Sequence, residues 1–326
     1  MPTKNDRRPD YVLLVAVIAL VVVGVLFVYS ASSYSAERTY GNKFYFAAKQ
    51  AIGAAVGIVA LVVCSFVPMR LVRKMWIVGV VMSVVLLALV FLPGIGIENY
   101  GAKRWIGFGG FSMQPSEIAK FAFVLFAAVY MSRADMSRPV CCLPVLGVGC
   151  LLCLLIIAEP NMSITVCMAA VMLTMLFIGG VKAKYFVLLL VPAVVAAPVL
   201  IFLEPYRVQR LLAFIDPWAS PKGEGYQLIQ SLYALGSGGF FGVGLFNSRQ
   251  KFRFLPFAES DFVFAVIGEE TGLVGCLILF ALYLLVIVRG VRIALNSCDK
   301  FGMLLGGGIT AVIAVQSIVN FAVVTG

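Results

Sequence analysis

Four carboxylates fall within residues 255–272, beside and inside a run that otherwise has the composition of a membrane span. They are Glu259, Asp261, Glu269 and Glu270. The chain is 62% hydrophobic and has only 15 Asp and Glu residues among its 326. A carboxylate near a membrane is costly to desolvate, so each of these is a candidate functional group. The sequence contains no histidine, and acid–base chemistry must therefore come from carboxylates, Lys, Tyr or Cys.

The position of each carboxylate along the predicted helix separates their roles. Asp261 precedes a helix predicted over residues 262–288, where it can cap the helix N-terminus and still face a substrate. Glu269 and Glu270 lie about two turns further in, where unpaired charge is costly. We predict that one of them pairs with a cation from another helix, and we assign both to helix packing or coupling. From the residues alone, Asp261 is either only a helix cap or a functional carboxylate, and a semi-buried site can raise the pKa of such a carboxylate enough for it to act as a base.

A second pair of charges opens another apolar run. Residues 114–120 begin Gln-Pro-Ser and predict a helix start, because proline suits the first turn and Glu117 favours the positive end of the helix dipole. Glu117 and Lys120 are three residues apart on one face, which predicts an intramembrane ion pair. The pair either lines a polar cavity, the interpretation we favour, or locks helix packing. Glu159 ends a helix before Pro160; it is either a simple turn residue or part of the same site if it converges with Lys120.

Two groups of cations have side chains that suit an anionic ligand. Lys103 and Arg104 precede Trp105, a sequence typical of either an anion site or an interfacial anchor. Arg207 and Arg210 share one helical face, and their planar guanidinium groups suit phosphate oxygens, with general attraction to anionic headgroups as the alternative. Further cations follow at Lys222, Arg249, Lys251 and Arg253. A carboxylate base and such cations suit a lipid-linked diphosphate substrate, because the base takes a hydroxyl proton while the cations stabilise the leaving diphosphate.

The elements that must position these residues are membrane helices. Recurrent apolar runs of about 18 residues or more predict an all-α polytopic membrane protein with about nine spans. The predicted spans are residues 11–30, 46–67, 76–93, 115–131, 141–158, 162–179, 185–203, 262–288 and 303–323. Lys and Arg cluster in alternate short connections, which places those connections and the N-terminus in the cytoplasm. We expect one integral membrane domain over residues 1–326.

Two connections on the predicted outer side differ from the others. Residues 94–120 carry the Lys-Arg-Trp sequence and the Glu–Lys pair, and residues 204–261 form an extracellular loop whose length is uncommon without a function. Within that loop, residues 226–235 have an amphipathic helical pattern interrupted by Gln227, and residues 236–244 are glycine-rich. We predict short helices that lie at the outer interface or dip into it.

Motifs in these segments, in family order along nearly the whole chain, resemble the SEDS family (shape, elongation, division and sporulation), the group of FtsW, RodA and SpoVE. The motifs are Tyr29-Ser-Ala-Ser32, Gly101-Ala-Lys-Arg-Trp-Ile106, Gln114-Pro-Ser-Glu117 with Lys120, Glu159-Pro160, Arg207 to Phe214-Ile-Asp-Pro217, Gly225-Tyr-Gln227, Gly236-Ser-Gly-Gly239, Phe254-Leu-Pro256, Ser260-Asp-Phe262, Gly268-Glu-Glu270 and Asn320 to Thr325-Gly326. The resemblance implies a peptidoglycan glycosyltransferase that polymerises lipid II on the outer face of the cytoplasmic membrane. It carries the family's essential aspartate onto Asp261, and its polar cavity onto Glu117, Lys120 and Arg210.

The same resemblance implies partners and a location. It predicts a class B penicillin-binding protein, a transpeptidase, with other divisome or elongasome membrane proteins, and no nucleic acid. The start of the chain and its loops look more like the division branch, which implies the division septum. Three departures matter: Asn161 stands where the family has the aspartate of Glu-Pro-Asp, Phe257 stands where it has the glutamate of Leu-Pro-Glu, and the chain ends at Gly326 before the family's tenth helix. We therefore expect a truncated form.

Our main hypothesis is an inverting glycosyltransferase in which Asp261 is the general base. The predicted substrate-binding residues are Lys103, Arg104, Trp105, Glu117, Lys120, Glu159, Arg207, Arg210, Gln227 and Lys251. A divalent cation, Mg or Mn, is the one cofactor considered, with no residue assigned as a metal ligand. The alternatives are a flippase for lipid II or another polyprenyl-linked lipid, which would need inverted repeats and a midplane site, and a non-catalytic scaffold for a partner synthase.

Overall fold

The computed structural model describes residues 9–99, 102–108, 111–188, 198, 202, 205–252 and 254–326. Most of these residues are helical, which confirms the predicted all-α membrane fold. The helices are α1 (Tyr11–Tyr40), α2 (Tyr45–Phe66), α3 (Met69–Lys74), α4 (Trp76–Leu89), α5 (Pro115–Arg133), α6 (Leu143–Ala158), α7 (Met162–Ile178), α8 (Pro205–Ile215), α9 (Tyr226–Gly238), α10 (Val263–Leu295) and α11 (Lys300–Thr325). Short 3-10 turns cover Pro139–Cys142 and Pro217–Ala219.

The long apolar helices correspond to the predicted spans. Within the described residues, six segments are long and apolar enough to cross a membrane: α1, α2, α5, α6 with its preceding 3-10 turn, α10 and α11. The shorter apolar helices α4 and α7 fall on two further predicted spans. The span predicted over 185–203 is helical at residues 183–188, and most of its remainder lies outside the described residues.

A small antiparallel sheet, which the sequence analysis did not predict, precedes α5. Its strands are β1 (Gly96–Asn99), β2 (Ala102–Phe108) and β3 (Phe111–Met113), in the order β1-β2-β3. Ile97 lies opposite Trp105 in the register. The next residue of β1, Glu98, pairs with Lys103, so the register shifts and Arg104 is the extra residue of β2. The regular alternation of side chains is therefore interrupted within the Lys-Arg-Trp motif.

The described chain packs as two compact units. The first comprises Val67–Pro192 and Ile287–Gln316. Its core is built by α4–α7 and the first part of α11, with Phe123, Leu152 and Leu304 fully buried. Apolar side chains buried from several helices supply most of the packing free energy of such a core. The single domain predicted over residues 1–326 stays a prediction.

The second unit comprises Arg7–Phe66, Ala193–Val286 and Ser317–Gly326. One of its apolar clusters joins Phe262 and Val266 at the start of α10 to buried residues of α1, α9 and α11. The loop between α9 and α10, which contains Asp261, therefore begins and ends in the second unit.

Candidate functional site

Asp261 lies on an exposed turn immediately before α10. The carbonyl of Phe257 accepts hydrogen bonds from the amides of Ser260 (3.1 Å) and Phe262 (3.3 Å), and these bonds close the turn. Ala258 and Phe262 are buried in the core of the second unit. The turn is thus held by apolar anchors on both sides of an exposed carboxylate.

The cap of α10 lies one residue later than predicted. The carbonyl of Phe262 accepts hydrogen bonds from the amides of Ala265 (3.0 Å) and Val266 (3.4 Å), so Phe262 holds the backbone cap position. Asp261 stands just before it, at the positive end of the helix dipole, where a negative charge is favoured. Asp261 therefore lies just outside the first turn of α10, and its side chain is exposed.

Glu269 is buried and accepts three hydrogen bonds from the loop that precedes Asp261. The donors are the Ser248 hydroxyl to Oε2 (2.5 Å), the Arg249 amide to Oε1 (2.9 Å) and the Gln250 amide to Oε2 (3.3 Å). All three donors lie within three consecutive residues, so the carboxylate holds a short length of backbone. The packing or coupling role assigned to Glu269 from the sequence stays a prediction.

Glu270 is also buried, and its Oε1 accepts three hydrogen bonds. The donors are the Ser30 hydroxyl (2.6 Å), the Ser248 amide (3.3 Å) and the Lys251 ammonium (3.2 Å). The expected ion pair is therefore present, but its cation comes from the loop and not from another helix. Lys251 is 6% exposed and also donates to the Phe246 carbonyl (2.5 Å), so its predicted contact with substrate stays a prediction.

In the first unit, Glu117 and Lys120 form the ion pair that their spacing predicts. The Lys120 ammonium lies 3.0 Å from the Glu117 carboxylate and donates to Gln316 Oε1 at 2.7 Å. The lysine side chain is 1% exposed, whereas the glutamate side chain is 39% exposed. The pair therefore joins α5 to α11 and leaves the glutamate partly exposed. Its predicted role in lining a polar cavity stays a prediction.

Glu159 lies in the turn between α6 and α7, and its carboxylate is fully buried. Both of its oxygens lack a hydrogen-bond partner in the described part of the chain. The Arg104 side chain donates instead to the backbone carbonyls of Glu159 (3.2 Å) and Pro160 (2.6 Å). Burial raises the pKa of Glu159 to about 8, while the nearby charge of Arg104 acts in the opposite direction. Convergence of Glu159 with Lys120 stays a prediction.

Asn161 shows how the chain tolerates its departure from Glu-Pro-Asp. Its side chain accepts a hydrogen bond from the Ile164 amide (3.4 Å), and its carbonyl accepts the Thr165 amide (3.2 Å). Asn161 is therefore the N-cap of α7. Asparagine and aspartate are about equally good caps, so the local structure does not need the acid.

The remaining predicted residues are spread over both units. Lys103 is exposed and Trp105 half-buried on β2, and Gln227 is half-buried in the first turn of α9. Arg210, on α8, lies 3.4 Å from the Glu224 carboxylate in an exposed ion pair. Arg207 also belongs to α8, but its side chain lies outside the described residues, as does Arg253.

The predicted divalent cation has no assigned ligand. Among the described residues, no three carboxylate or thiol groups come close enough together to hold a metal ion. The donors of Glu269 and Glu270 are hydroxyl, amide and ammonium groups, which compete with a cation for the carboxylate oxygens. We therefore assign no step to a metal.

Two residues important to these clusters were not singled out from the sequence. Gln316 lies inside the last apolar span, where a polar side chain is itself a signal of function or packing, and this signal was available. Ser248 lies in a loop and meets Glu269 across 21 residues of chain. No local sequence pattern predicts such a contact, because the contact depends on how the loop folds back onto the helix.

The chain is similar to proteins of one family. A family model described as "Cell cycle protein", that of FtsW, RodA and SpoVE, matches residues 11–326. The chain is 36% identical to "Stage V sporulation protein E" of Bacillus subtilis, over 99% of the chain and 89% of that protein. It is 39% identical to "Probable peptidoglycan glycosyltransferase FtsW" of Trichlorobacter lovleyi, over 97% of the chain and 84% of that protein.

Solved structures share the fold. One is a chain of a structure described as "Structural coordination of polymerization and crosslinking by a peptidoglycan synthase complex". It superposes with a TM-score of 0.76 at 26% identity, covering 97% of this chain and 87% of that one. The rod shape determining protein RodA of Thermus thermophilus superposes with a TM-score of 0.66 at 22% identity, covering 97% and 85%. The second likeness concerns the fold alone.

Proposed function

Because the chain belongs to the FtsW, RodA and SpoVE family of cell cycle proteins, we propose that it works as a peptidoglycan glycosyltransferase with Asp261 as its general base. It is a multi-pass membrane protein. The proposed substrate is lipid II, used at the outer face of the cytoplasmic membrane during cell division or the maintenance of cell shape. The proposed site of action is the division septum, and the N-terminus lies in the cytoplasm.

The proposed reaction is one displacement at the anomeric carbon of the donor sugar. The hydroxyl oxygen of the acceptor sugar attacks that carbon as the bond to the donor's diphosphate breaks, with inversion. Asp261 takes the proton of the acceptor hydroxyl, and polyprenyl diphosphate leaves with the bonding electron pair. A positioned base contributes to such a step by removing the proton as the new bond forms.

The observation that carries this proposal is the exposure of Asp261 on an anchored turn. Neighbouring buried residues fix the backbone, and the carboxylate remains accessible to a hydroxyl. Glu269 and Glu270 cannot take this role, because both are buried and accept hydrogen bonds from the protein itself. Of the carboxylates in α10 and at its start, Asp261 is the one open to substrate.

The leaving diphosphate needs positive charge, and within the second unit the proposed source is Arg207 and Arg210. Lys103 and Arg104, in the first unit, stay predicted diphosphate ligands. Guanidinium and ammonium groups stabilise developing negative charge most when they are already in place. The Arg210 pair with Glu224 is exposed, and exposed ion pairs contribute about 0–1 kcal/mol. A diphosphate can therefore displace Glu224 at little cost.

The proposed partner is a class B penicillin-binding protein that crosslinks the glycan. A likeness to a chain of a peptidoglycan synthase complex supports this proposal. Other divisome or elongasome membrane proteins are further proposed partners. A divalent Mg or Mn ion stays a prediction without an assigned ligand.

Replacement of Asp261 by Asn tests the proposal. We expect purified Asp261→Asn protein to form no glycan polymer from labelled lipid II, because an amide cannot accept the proton. Glu259→Gln is the matched control, since it makes the same kind of change two residues away and should keep polymerisation near that of the parent. Polymer formed by Asp261→Asn at the parental rate would refute the assignment, and lipid II translocated across liposomes without polymer would favour a flippase.

A further inference from the structure

Helix α10 is interrupted at Gly272, where φ is 67° and ψ is −165°. The loop after α9 crosses the helix at this point and replaces hydrogen bonds that the interruption removes. Four backbone hydrogen bonds join the two segments: Leu273 N to Gly239 O (2.9 Å), Val274 N to Phe240 O (3.2 Å), Val243 N to Glu269 O (2.9 Å) and Gly244 N to Glu270 O (3.1 Å). A Cβ on Gly242 would overlap the Glu270 carbonyl, so the close approach requires glycine.

This crossing lies well inside the helix and not at its end. Gly272 is nine residues after Val263, which corresponds to about 14 Å along the helix axis. Backbone is tolerated at membrane depth when its polar groups have partners within the protein. The hydrogen bonds between residues 239–244 and α10 meet this requirement.

A second attachment lies closer to the helix start and uses side chains. Glu269 and Glu270, about 9–10 Å from Val263 along the axis, hold the loop at Ser248 and Lys251. Ser248 joins the two carboxylates: its hydroxyl donates to Glu269 and its amide donates to Glu270. Its hydroxyl oxygen also accepts the Lys251 amide (3.3 Å). One fully buried serine therefore ties the loop to both glutamates.

These attachments determine what can happen to Asp261. The segment from residue 252 to residue 262 leaves the glutamate cluster and returns to the start of the same helix. At its N-terminal end, Ser248 and Lys251 bind Glu269 and Glu270. At its C-terminal end, residue 262 is bonded to Val263. Leu255 is buried between the two ends. The attachments at the two ends and the buried Leu255 together limit where the Asp261 turn can lie.

Burying the charges of this cluster has a desolvation cost, so stabilisation of the fold alone does not account for it. It buries two carboxylates with the ammonium of Lys251, and Glu270 Oε2 has no hydrogen-bond partner in the described part of the chain. Replacing a buried ionic cluster with apolar residues is often neutral or stabilising, whereas such clusters can specify one geometry. Arg249 and Glu269 also line a cavity of about 390 Å³.

We propose that Glu269, Glu270 and Ser248 are positioning residues that fix the turn bearing Asp261 against α10. The proposal rests on the role of Asp261 as the base of the glycosyl transfer. The three residues touch neither substrate nor the reacting atoms. They act through the backbone of the segment from residue 248 to residue 262, which they hold at a set place along the helix.

The test combines hydrogen exchange with steady-state kinetics on the purified full chain. In Glu269→Gln and Ser248→Ala, the amides of residues 248–251 should exchange at least about tenfold faster, because their acceptor or its support is lost. With lipid II, kcat should fall about 10–100-fold while KM stays within about twofold, since misplacing a catalytic group by about 1 Å can cost that much. Glu37→Gln, an exposed carboxylate on α1, is the matched control and should change neither quantity.

The outcomes separate this proposal from the assignment of the base. Unchanged exchange at residues 248–251 in both variants would refute the anchoring. Released exchange with the parental kcat, or an equal effect on KM, would refute the positioning role. Ser248→Ala removes a single hydroxyl, so it provides the result if Glu269→Gln does not fold. An active Asp261→Asn would overturn the proposed base but would leave the exchange result as it stands.

Discussion

The ion pair of Glu117 and Lys120 allows a sharp test of the first unit, because its members differ in exposure. The lysine side chain is 1% exposed and the glutamate side chain 39% exposed. Glu117→Gln leaves an ammonium buried without its counter-charge. Lys120→Met removes the buried charge and leaves a carboxylate that water can reach. We therefore expect the loss of the glutamate charge to destabilise the fold more than the loss of the lysine.

The expected magnitudes follow from these exposures. Breaking a buried ion pair from one side costs about 3–5 kcal/mol, and we expect about 3 for Glu117→Gln because Gln316 still accepts a hydrogen bond from Lys120. Lys120→Met should cost about 1–2 kcal/mol, the value of one lost hydrogen bond with an unpaired acceptor on Gln316. The double variant should resemble Lys120→Met alone, because no buried charge remains. The coupling free energy is then about 3 kcal/mol in magnitude.

The assay is equilibrium unfolding of the purified chain in mixed micelles titrated with SDS, applied to the parent, both single variants and the double variant. Glu37→Gln, at an exposed position on α1, is the control for loss of a carboxylate and should stay within about 0.5 kcal/mol of the parent. The reasoning would be refuted if Lys120→Met were the more destabilising single change. It would also be refuted if the two single effects added in the double variant.

Two further predictions concern a buried acid and a glycine crossing. Since burial raises the pKa of Glu159 from 4.5 to about 8, the folded chain holds a proton that the unfolded chain releases, and stability should fall as pH rises between these values. Glu159→Gln should remove this dependence of stability on pH. The melting temperature of the variant should therefore rise relative to that of the parent from pH 5 to pH 9. Parallel curves of melting temperature against pH would contradict the prediction. Gly242→Ala should destabilise by more than about 2 kcal/mol in SDS titration, because its φ is 80° and a Cβ would overlap the Glu270 carbonyl. Gly236→Ala, in α9 with open space around it, should be neutral or stabilising by up to about 1 kcal/mol, and equal losses in the two variants would refute the crossing.

The spans and the Glu117–Lys120 pair could be predicted because both depend on local periodicity. Apolar runs of sufficient length have few alternatives to a helix in a membrane, and a spacing of three places two side chains on one helical face. The sheet at β1–β3 was missed for a related reason. Its strands contain 4, 7 and 3 residues and are separated by glycines, so neither a strand period nor a long apolar run is visible.

The contacts of Ser248 and the interruption at Gly272 could not be predicted from spacing. Each depends on a loop that meets a helix many residues away in the chain, and a serine has no sequence signal for such a partner. Gly272 follows Glu269 and Glu270 within an apolar helix, where a single glycine is ordinarily tolerated. Its non-helical φ and ψ arise because a second segment supplies the missing hydrogen bonds.

The stretch from residue 255 to residue 272 therefore contains carboxylates that differ in exposure to solvent. Glu269 accepts three hydrogen bonds from the protein and is 1% exposed, so its carboxylate is shielded from a substrate hydroxyl. Asp261 is exposed at the end of the same helix. A base needs a reachable oxygen, whereas an anchor needs occupied ones. Burial thus assigns opposite tasks to residues of the same chemistry, and the attachments of the loop between them limit where the Asp261 turn can lie.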